Sequence, residues 1–330
     1  METIIQTGNG RKTWSEEVPE ESLDDKTEAL TLHSRRTERR RKKLEKKAKN
    51  AAAFKPRQLL DLPYEVFDAI LSLLVPSDIF ALRDTCRPIR QMIGADEHHI
   101  AKTVINYRYP CLAKCFRLPV LLENVDEEAH VALTSQDQRK PFQHIQPPDP
   151  RLICTCMTCI PRWNILCIAV DFAYWQHSLD KGEPIPVIPR GRSPRWNQKL
   201  LARNARIVTK ALYSPLQYAR ILEAHLDSTI RSIRRHAENK GNRRLRFRMT
   251  KADERAESDA FLERAGPPSV DVPWHRDNYY LLEAYLPNRA WFMGPRDWVY
   301  VPADQHDRDV ELVVRWSQSR DRQASQASTA

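Results

Sequence analysis

The sequence predicts a mainly α-helical protein with a few short strands near its C-terminal end. Three observations carry that expectation. Apolar residues recur at helical spacing through most of residues 57–240. Residues that start and stop helices stand where those segments begin and end. Short-period aromatic stretches are confined to the last sixty or so residues. The 330 residues, 41% hydrophobic and 29% charged, are enough to bury a sizeable core. No uncharged apolar run approaches the roughly 18 residues of a membrane span, and the opening stretch lacks the apolar centre of a secretory signal. The seven cysteines, without any Asn-x-Ser/Thr acceptor, fit a reducing compartment. A soluble intracellular protein of the nucleus, the cytoplasm or both is therefore expected, with no membrane partner.

The net charge of +10 is unevenly placed. Residues 1–34 carry three basic and eight acidic side chains, whereas residues 35–49, "RRTERRRKKLEKKAK", carry ten basic and two acidic. Residues 1–53 have too few aliphatic side chains to order themselves and are expected to be a disordered charged arm, helical at most over the basic run. That run suits a nuclear import signal or a phosphate contact, or else a solvated helix with i,i+4 pairs such as Arg41–Glu45. A second basic cluster, 231–248, falls at the end of a helix, where cations also favour the local dipole, and has Phe247 as its only aromatic residue. Nucleic-acid binding through 35–49 and 231–248 thus has little beyond charge behind it.

A compact apolar unit spans 57–100. Pro63 sits at a helix start with Glu65 near the positive end, and the helix is expected to run to about Val75. Along it, Val66, Ile70, Leu73 and Leu74 form one apolar stripe, and Phe67, Leu71 and Leu74 a second. Pro76-Ser77-Asp78 stops this helix and starts another, in which Ile79, Leu82 and Cys86 again divide between faces with Phe80. Pro88 requires that helix to end by Arg87. A third follows in "PIRQMIGADEHHI". Some forty residues cannot hide this much apolar surface within themselves, so one face is left for the rest of the chain or for a partner.

The ordered run Leu59-Leu60-Asp61-Leu62-Pro63-x-Glu65-Val66, Ile70-Leu71-x-Leu73-Leu74, Ser77-Asp78-Ile79 and Leu82-Arg83-x-x-Cys86-Arg87 resembles an F-box. The resemblance implies a three-helix module that docks on a Skp-type adaptor and, through it, on a cullin–RING ubiquitin ligase. Carried over by position, it implies adaptor contacts at Leu60, Leu62, Pro63, Val66, Ile70, Leu74, Ile79, Leu82 and Cys86. The chain beyond the module is similar to uncharacterised fungal F-box proteins rather than to the leucine-rich-repeat or WD-repeat classes. It would be a non-catalytic subunit that recruits an unknown protein substrate. The alternative is a nuclear or nucleic-acid-associated binding protein whose F-box-like hairpin packs internally. Which of the two holds depends on whether the second face of the 63–75 helix is open.

The remaining chain, 101–316, is expected to form a mostly helical domain that could hold the substrate. "PRWNILCIAVDFAYWQ" reads as core, and the proline- and glycine-bearing segment 181–194 as an irregular connector. Residues 195–212 and 214–241 read as helices, the second with Ser214 as N-cap, Pro215 at the first helical position and Gly241 past its end. After a linker, "AGPPSVDVP", the stretches "RAWFMGPRDWVYVP" and "DVELVVRW" are candidate strands, and 317–330 a disordered tail. The aromatic residues Trp291, Phe292, Trp298 and Tyr300 read as core rather than recognition surface.

Two constellations remain. Cys154, Cys156, Cys159 and Cys167, spaced C-x-C-x2-C-x7-C, are either free buried thiols, requiring no cofactor, or ligands of a structural zinc; the spacing departs from paired C-x2-C knuckles. Cys111 and Cys115 read as core thiols. "WHRDNYYLL" contains the His275-Arg276-Asp277 triplet of a kinase catalytic loop, but Leu282 stands where asparagine is required and no phosphate loop occurs, so it reads as a polar turn.

Overall fold

The computed structural model describes residues 35–52, 59–134, 142–189, 191–238, 249–264, 272–287, 289–292, 297–300 and 305–328. The chain divides after Gln58 into two units. In the first, the described part is one helix, α1 (Arg35–Ala52), whose side chains through residue 47 are exposed. It carries the pairs Arg41–Glu45 at 3.5 Å and Lys42–Glu38 at 3.6 Å. With so few apolar residues, its helical state rests on propensity and these i,i+4 pairs.

The second unit opens with a 3₁₀ turn at Leu59–Asp61, then α2 (Tyr64–Leu73), α3 (Pro76–Arg83) and α4 (Arg87–Ala95). Pro63 occupies the N-cap of α2, and Pro76 and Pro88 open α3 and α4. Each thereby uses its fixed φ where a missing N–H costs nothing. Neither α2 nor α3 has a side-chain cap from its own neighbours. A bend at Asp96 separates α4 from α5 (Glu97–Arg108), which α6 (Pro110–Cys115) follows directly.

The main core forms around α8 (Cys159–Lys181), α9 (Arg195–Tyr213) and α10 (Pro215–Glu238), with α10 packed on α8, α9, α5 and α3. Seven consecutive residues of α8, Leu166 to Phe172, are buried, as expected of a helix enclosed on all sides. Helix α8 ends at Gly182 with φ +69°, where Glu183 N–H donates to Ser178 O at 2.9 Å; a left-handed residue of this kind is cheapest as glycine. Ser214 Oγ accepts from Gln217 N at 3.3 Å, so the N-cap legible in the sequence forms, while Gly241 lies outside the described residues. A capping box at Thr250 and Asp253 starts α11 (Lys251–Ala256).

A smaller second core comprises Leu122, Val125, Ala129, Ala132, Leu133, Cys154, Cys156, Cys159 and Val313. It lies between α7 (Glu127–Thr134), the loop before α8, and α12 (His306–Ser328). Strands β1 (Arg289–Phe292) and β2 (Asp297–Tyr300) pair antiparallel with Trp291 opposite Trp298. That matches the expected short strands; their side chains, including those of the aromatic patch, lie outside the described part.

The second candidate strand is different. "DVELVVRW" lies within α12, which also continues through most of the expected tail to Ser328. Val310, Val313 and Val314 fall on one helical face and pack in the second core. Packing at i, i+3, i+4 overrides the β propensity of the three valines. No helix among the described residues is long and apolar enough to cross a membrane.

Candidate functional site

The two apolar stripes of α2 have different fates. At about 100° per residue, Val66, Ile70 and Leu73 share one line down the helix, and Phe67, Leu71 and Leu74 share another roughly a quarter-turn away. Phe67 and Leu71 are 2% exposed and belong to the main core, with Leu74 partly buried against them. By contrast Val66 is 45% and Leu73 63% exposed, and Ile70 is half-buried. Leu62 is half-buried and Pro63 exposed just before the helix. Val66 and Leu73 are thus grouped toward solvent on one line of the helix rather than scattered over it.

The nine residues singled out from the sequence thus separate. Val66 and Ile70 lie on the open face of α2, and Leu62 and Pro63 just before the helix. Leu74, Leu82 and Cys86 are partly buried against the chain's own core, and Ile79 is fully buried in it. Leu60 lies in the 3₁₀ turn, its side chain outside the described part. Leu73 joins the surface without having been singled out as a contact. For Leu73 the signal was present, as the third member of the 66–70–73 line.

Polar contacts tie α2 and α3 to the helices packed on them. Ser77 N–H and Ser77 Oγ donate to the two carboxylate oxygens of Glu223 on α10, at 2.9 and 2.6 Å. The α3 N-terminus, expected to cap itself, is therefore capped from 146 residues away. Burial pushes the Glu223 carboxyl above its ordinary value, against the lowering effect of the two Ser77 hydrogen bonds. Two guanidinium groups lie over the Phe80 ring, Arg83 at 4.5 Å and Arg220 at 5.2 Å from its centroid. Arg108, buried at the end of α5, donates to Leu73 O at the end of α2 and to Glu257 at 3.2 Å.

Residues 59–100 match the F-box domain family. The match covers the 3₁₀ turn, α2, α3, α4 and the start of α5. No curated protein and no solved structure matches the chain. An F-box domain implies binding to a Skp-type adaptor within a ubiquitin ligase complex, and the open α2 face lies within the matched residues. The remaining chain carries no assignment from these comparisons.

Two polar constellations lie outside the F-box region. Asp171, fully buried in α8, accepts from Arg276 Nε at 2.8 Å, Arg276 Nη2 at 3.1 Å, Asn204 at 3.0 Å and Tyr279 at 2.9 Å. Arg276 also donates to Asn197 at 3.0 Å. The arginine of the kinase-like triplet thus points inward as a structural counter-ion. An aspartate within "CIAVDFAYW" was the available signal that a buried cation must exist elsewhere. Beside it runs a small open cleft of about 60 Å³, lined by Gln143, His144, Ile185, Val187 and His275 among others.

The other constellation joins Cys154, Cys156 and Cys159 to His306 at the start of α12, with one ligand-type atom from each lying within 4.8 Å of the others. Cys167, the fourth thiol expected from the sequence, is not among them. It is buried separately in α8, and desolvation drives its thiol up. Within the trio, hydrogen bonds from Cys154 and then Cys159 draw the Cys156 thiol down, while the Cys154 and Cys159 thiols are driven up by the same contacts.

Proposed function

We propose that this protein is the substrate-receptor subunit of a cullin–RING ubiquitin ligase, gripping a Skp-type adaptor with the open face of α2 and recruiting a protein substrate through the part of the chain after residue 101. Catalysis would reside in the partners. The observation that carries the reading is the split within α2: Phe67 and Leu71 are spent on the protein's own core, while Leu62, Val66, Ile70 and Leu73 remain open inside the segment that matches the F-box domain. An internally packed hairpin would cover both stripes, so the alternative reading loses its main support. Desolvated aliphatic anchors at the centre of an interface supply binding energy of about 1.5–3 kcal/mol per fully covered side chain.

The contacts behind α2 and α3 fit this role. A receptor must hold its substrate at a defined position relative to the adaptor, and Glu223 and Arg108 tie the F-box helices to the helices behind them. The cleft at Val187 and His275, with Trp274 nearby at 59% exposure, is the surface we assign to substrate contact. The exposed basic helix α1 supports a nuclear as well as a cytoplasmic location. Deleting 35–49 should then shift a tagged chain toward the cytoplasm under fluorescence microscopy.

The deciding experiment is titration of the purified chain with a Skp-type adaptor by calorimetry, comparing wild type with Leu62→Ala/Ile70→Ala. Binding by the wild type, and at least a tenfold weaker affinity in a double variant of unchanged circular dichroism, is the expected result. A folded wild type that does not bind would overturn the proposal.

A further inference from the structure

We infer that Cys154, Cys156, Cys159 and His306 form a structural zinc site that fastens helix α12 to the second core. This goes beyond the ligase-subunit reading and does not depend on it. The four donors come from two places far apart in the chain: the loop entering α8, and the first residue of α12. His306 Nδ1 lies 3.5 Å from Cys156 Sγ and 3.4 Å from Cys159 Sγ. In a tetrahedron with Zn–S of about 2.3 Å and Zn–N of about 2.0–2.1 Å, the sulfur–nitrogen edge is about 3.5 Å and the sulfur–sulfur edge about 3.8 Å. The two sulfur–nitrogen separations match such a shell, and all four ligand-type atoms lie within 4.8 Å of one another.

The surroundings suit thiolate ligands. Cys159 N–H is directed at Cys156 Sγ and Val120 N–H at Cys159 Sγ, both at 3.4 Å. Such donors offset the charge of metal-bound sulfur and orient it. The loop is held in place from both sides: Cys154 N–H donates to Val120 O at 3.0 Å, Leu122 N–H to Leu152 O at 2.9 Å, and Thr155 Oγ1 to Leu133 O at 2.6 Å. On the helix side, Thr158 Oγ1 donates to the buried Asp309, one turn past His306. The outer ring nitrogen of His306 lies 3.9 Å from the exposed Asp307 carboxylate.

Cysteines packed simply as small apolar groups look different in this same protein. Cys111, Cys115 and Cys167 are each buried within a helix and belong to the main core, outside the ligand cluster. Only at 154–159 do three buried thiols meet an imidazole that turns a nitrogen inward although its residue reaches the surface. Three sulfurs and one nitrogen in tetrahedral array select zinc over magnesium or calcium, which take oxygen. All four positions are filled by protein donors, so the ion would have a structural rather than a catalytic role.

A staple is also what this region needs. The second core contains nine buried residues, three of them the cysteines themselves, and Val313 is the only buried apolar residue that α12 contributes among those described. So small a cluster cannot by itself hold a helix of this length.

The test uses the full chain, purified in thiol reductant without metal-chelating resin, its metal content read by elemental mass spectrometry. One equivalent of zinc is expected, and cobalt(II) exchange should give the thiolate charge-transfer and intense d–d bands of a tetrahedral sulfur-rich site. Cys156→Ser and His306→Ala should lose the stoichiometric metal, whereas Cys167→Ser and His306→Cys should keep it; the last two guard against a variant that merely misfolds. Chelation should raise hydrogen exchange in α12 and α7 and leave α2 unchanged. A metal-free wild type, one that carries iron, a disulfide seen as the loss of two hydrogens in the intact mass, or zinc retained by His306→Ala would each overturn the assignment.

Discussion

Neighbouring residues 70 and 71 differ in burial, and under the proposed function they should separate binding from folding. Ile70 lies on the open line of α2 and Leu71, at 2% exposure, in the core. Ile70→Ala should weaken adaptor binding on the order of tenfold while costing less stability than Leu71→Ala, because the exposed part of the half-buried side chain gains cover only in the complex. Leu71→Ala should do the reverse, costing about 2–5 kcal/mol of stability through transfer and cavity terms. Parallel calorimetry and thermal melts on the two variants check this, and equal effects on both properties would remove the distinction between faces. Asp171 gives a second contrast. Arg276→Met leaves a buried carboxylate without its cation and should cost about 3–5 kcal/mol, whereas Asp171→Leu/Arg276→Met should recover much of that loss in urea unfolding. Both apolar stripes of α2 could be read from the sequence; the assignment of one to core and one to solvent could not, because it depends on which side α5 occupies.

Helix ends and helix type show where local rules succeed and where they yield. Proline placement was legible at Pro63, Pro76, Pro88 and Pro215, since φ restriction acts within a residue or two. The α3 cap was not legible, because its acceptor is Glu223 on α10. Glu223→Ala should leave the Ser77 N–H without its acceptor and cost about 1–3 kcal/mol, read as a lower urea midpoint. Slower unfolding of α3 by hydrogen exchange in that variant would contradict the capping role. In α12 the β-branched residues of "DVELVVRW" pointed to a strand, while the spacing of Val310, Val313 and Val314 was helical all along. Spacing decided the outcome because it matched the face offered by α7.

At the scale of the molecule, buried histidines make stability pH-dependent. Burial holds His225 down at about 4 and His144 at about 3, well below an ordinary imidazole. Their folded pKa values lie below the unfolded ones, so the unfolded chain takes up protons first. Their contribution is present above about pH 6.5 and is lost as pH falls toward the folded values. Asp259, pushed up to about 6 by burial, acts in the opposite direction and stabilises as pH falls through that value. The two histidines outweigh the one aspartate, and His236, lowered by burial, opposes the raised Glu223 carboxyl, so stability falls as the pH drops from roughly 6 toward 4. Urea unfolding from pH 7 to pH 4.5 should show falling stability, and His225→Phe should flatten the decline by about one proton's worth. A decline equally steep in that variant would mean that His225 is not the group responsible.

What the sequence determined by itself was everything set by near neighbours: mainly helical structure, proline-marked helix starts, the apolar excess of 59–86 and the family it resembles, and a cysteine trio on one loop. Only the tertiary structure decided what depends on residues far apart. It covered one stripe of α2 and opened the other, supplied Asp171 with Arg276 from 105 residues away, and set His306 rather than Cys167 beside the three cysteines. The physical reason is that a helical period or a proline ring acts over a few residues of chain, whereas a counter-ion, a distant cap or a fourth ligand is chosen by which surfaces come together when the core closes.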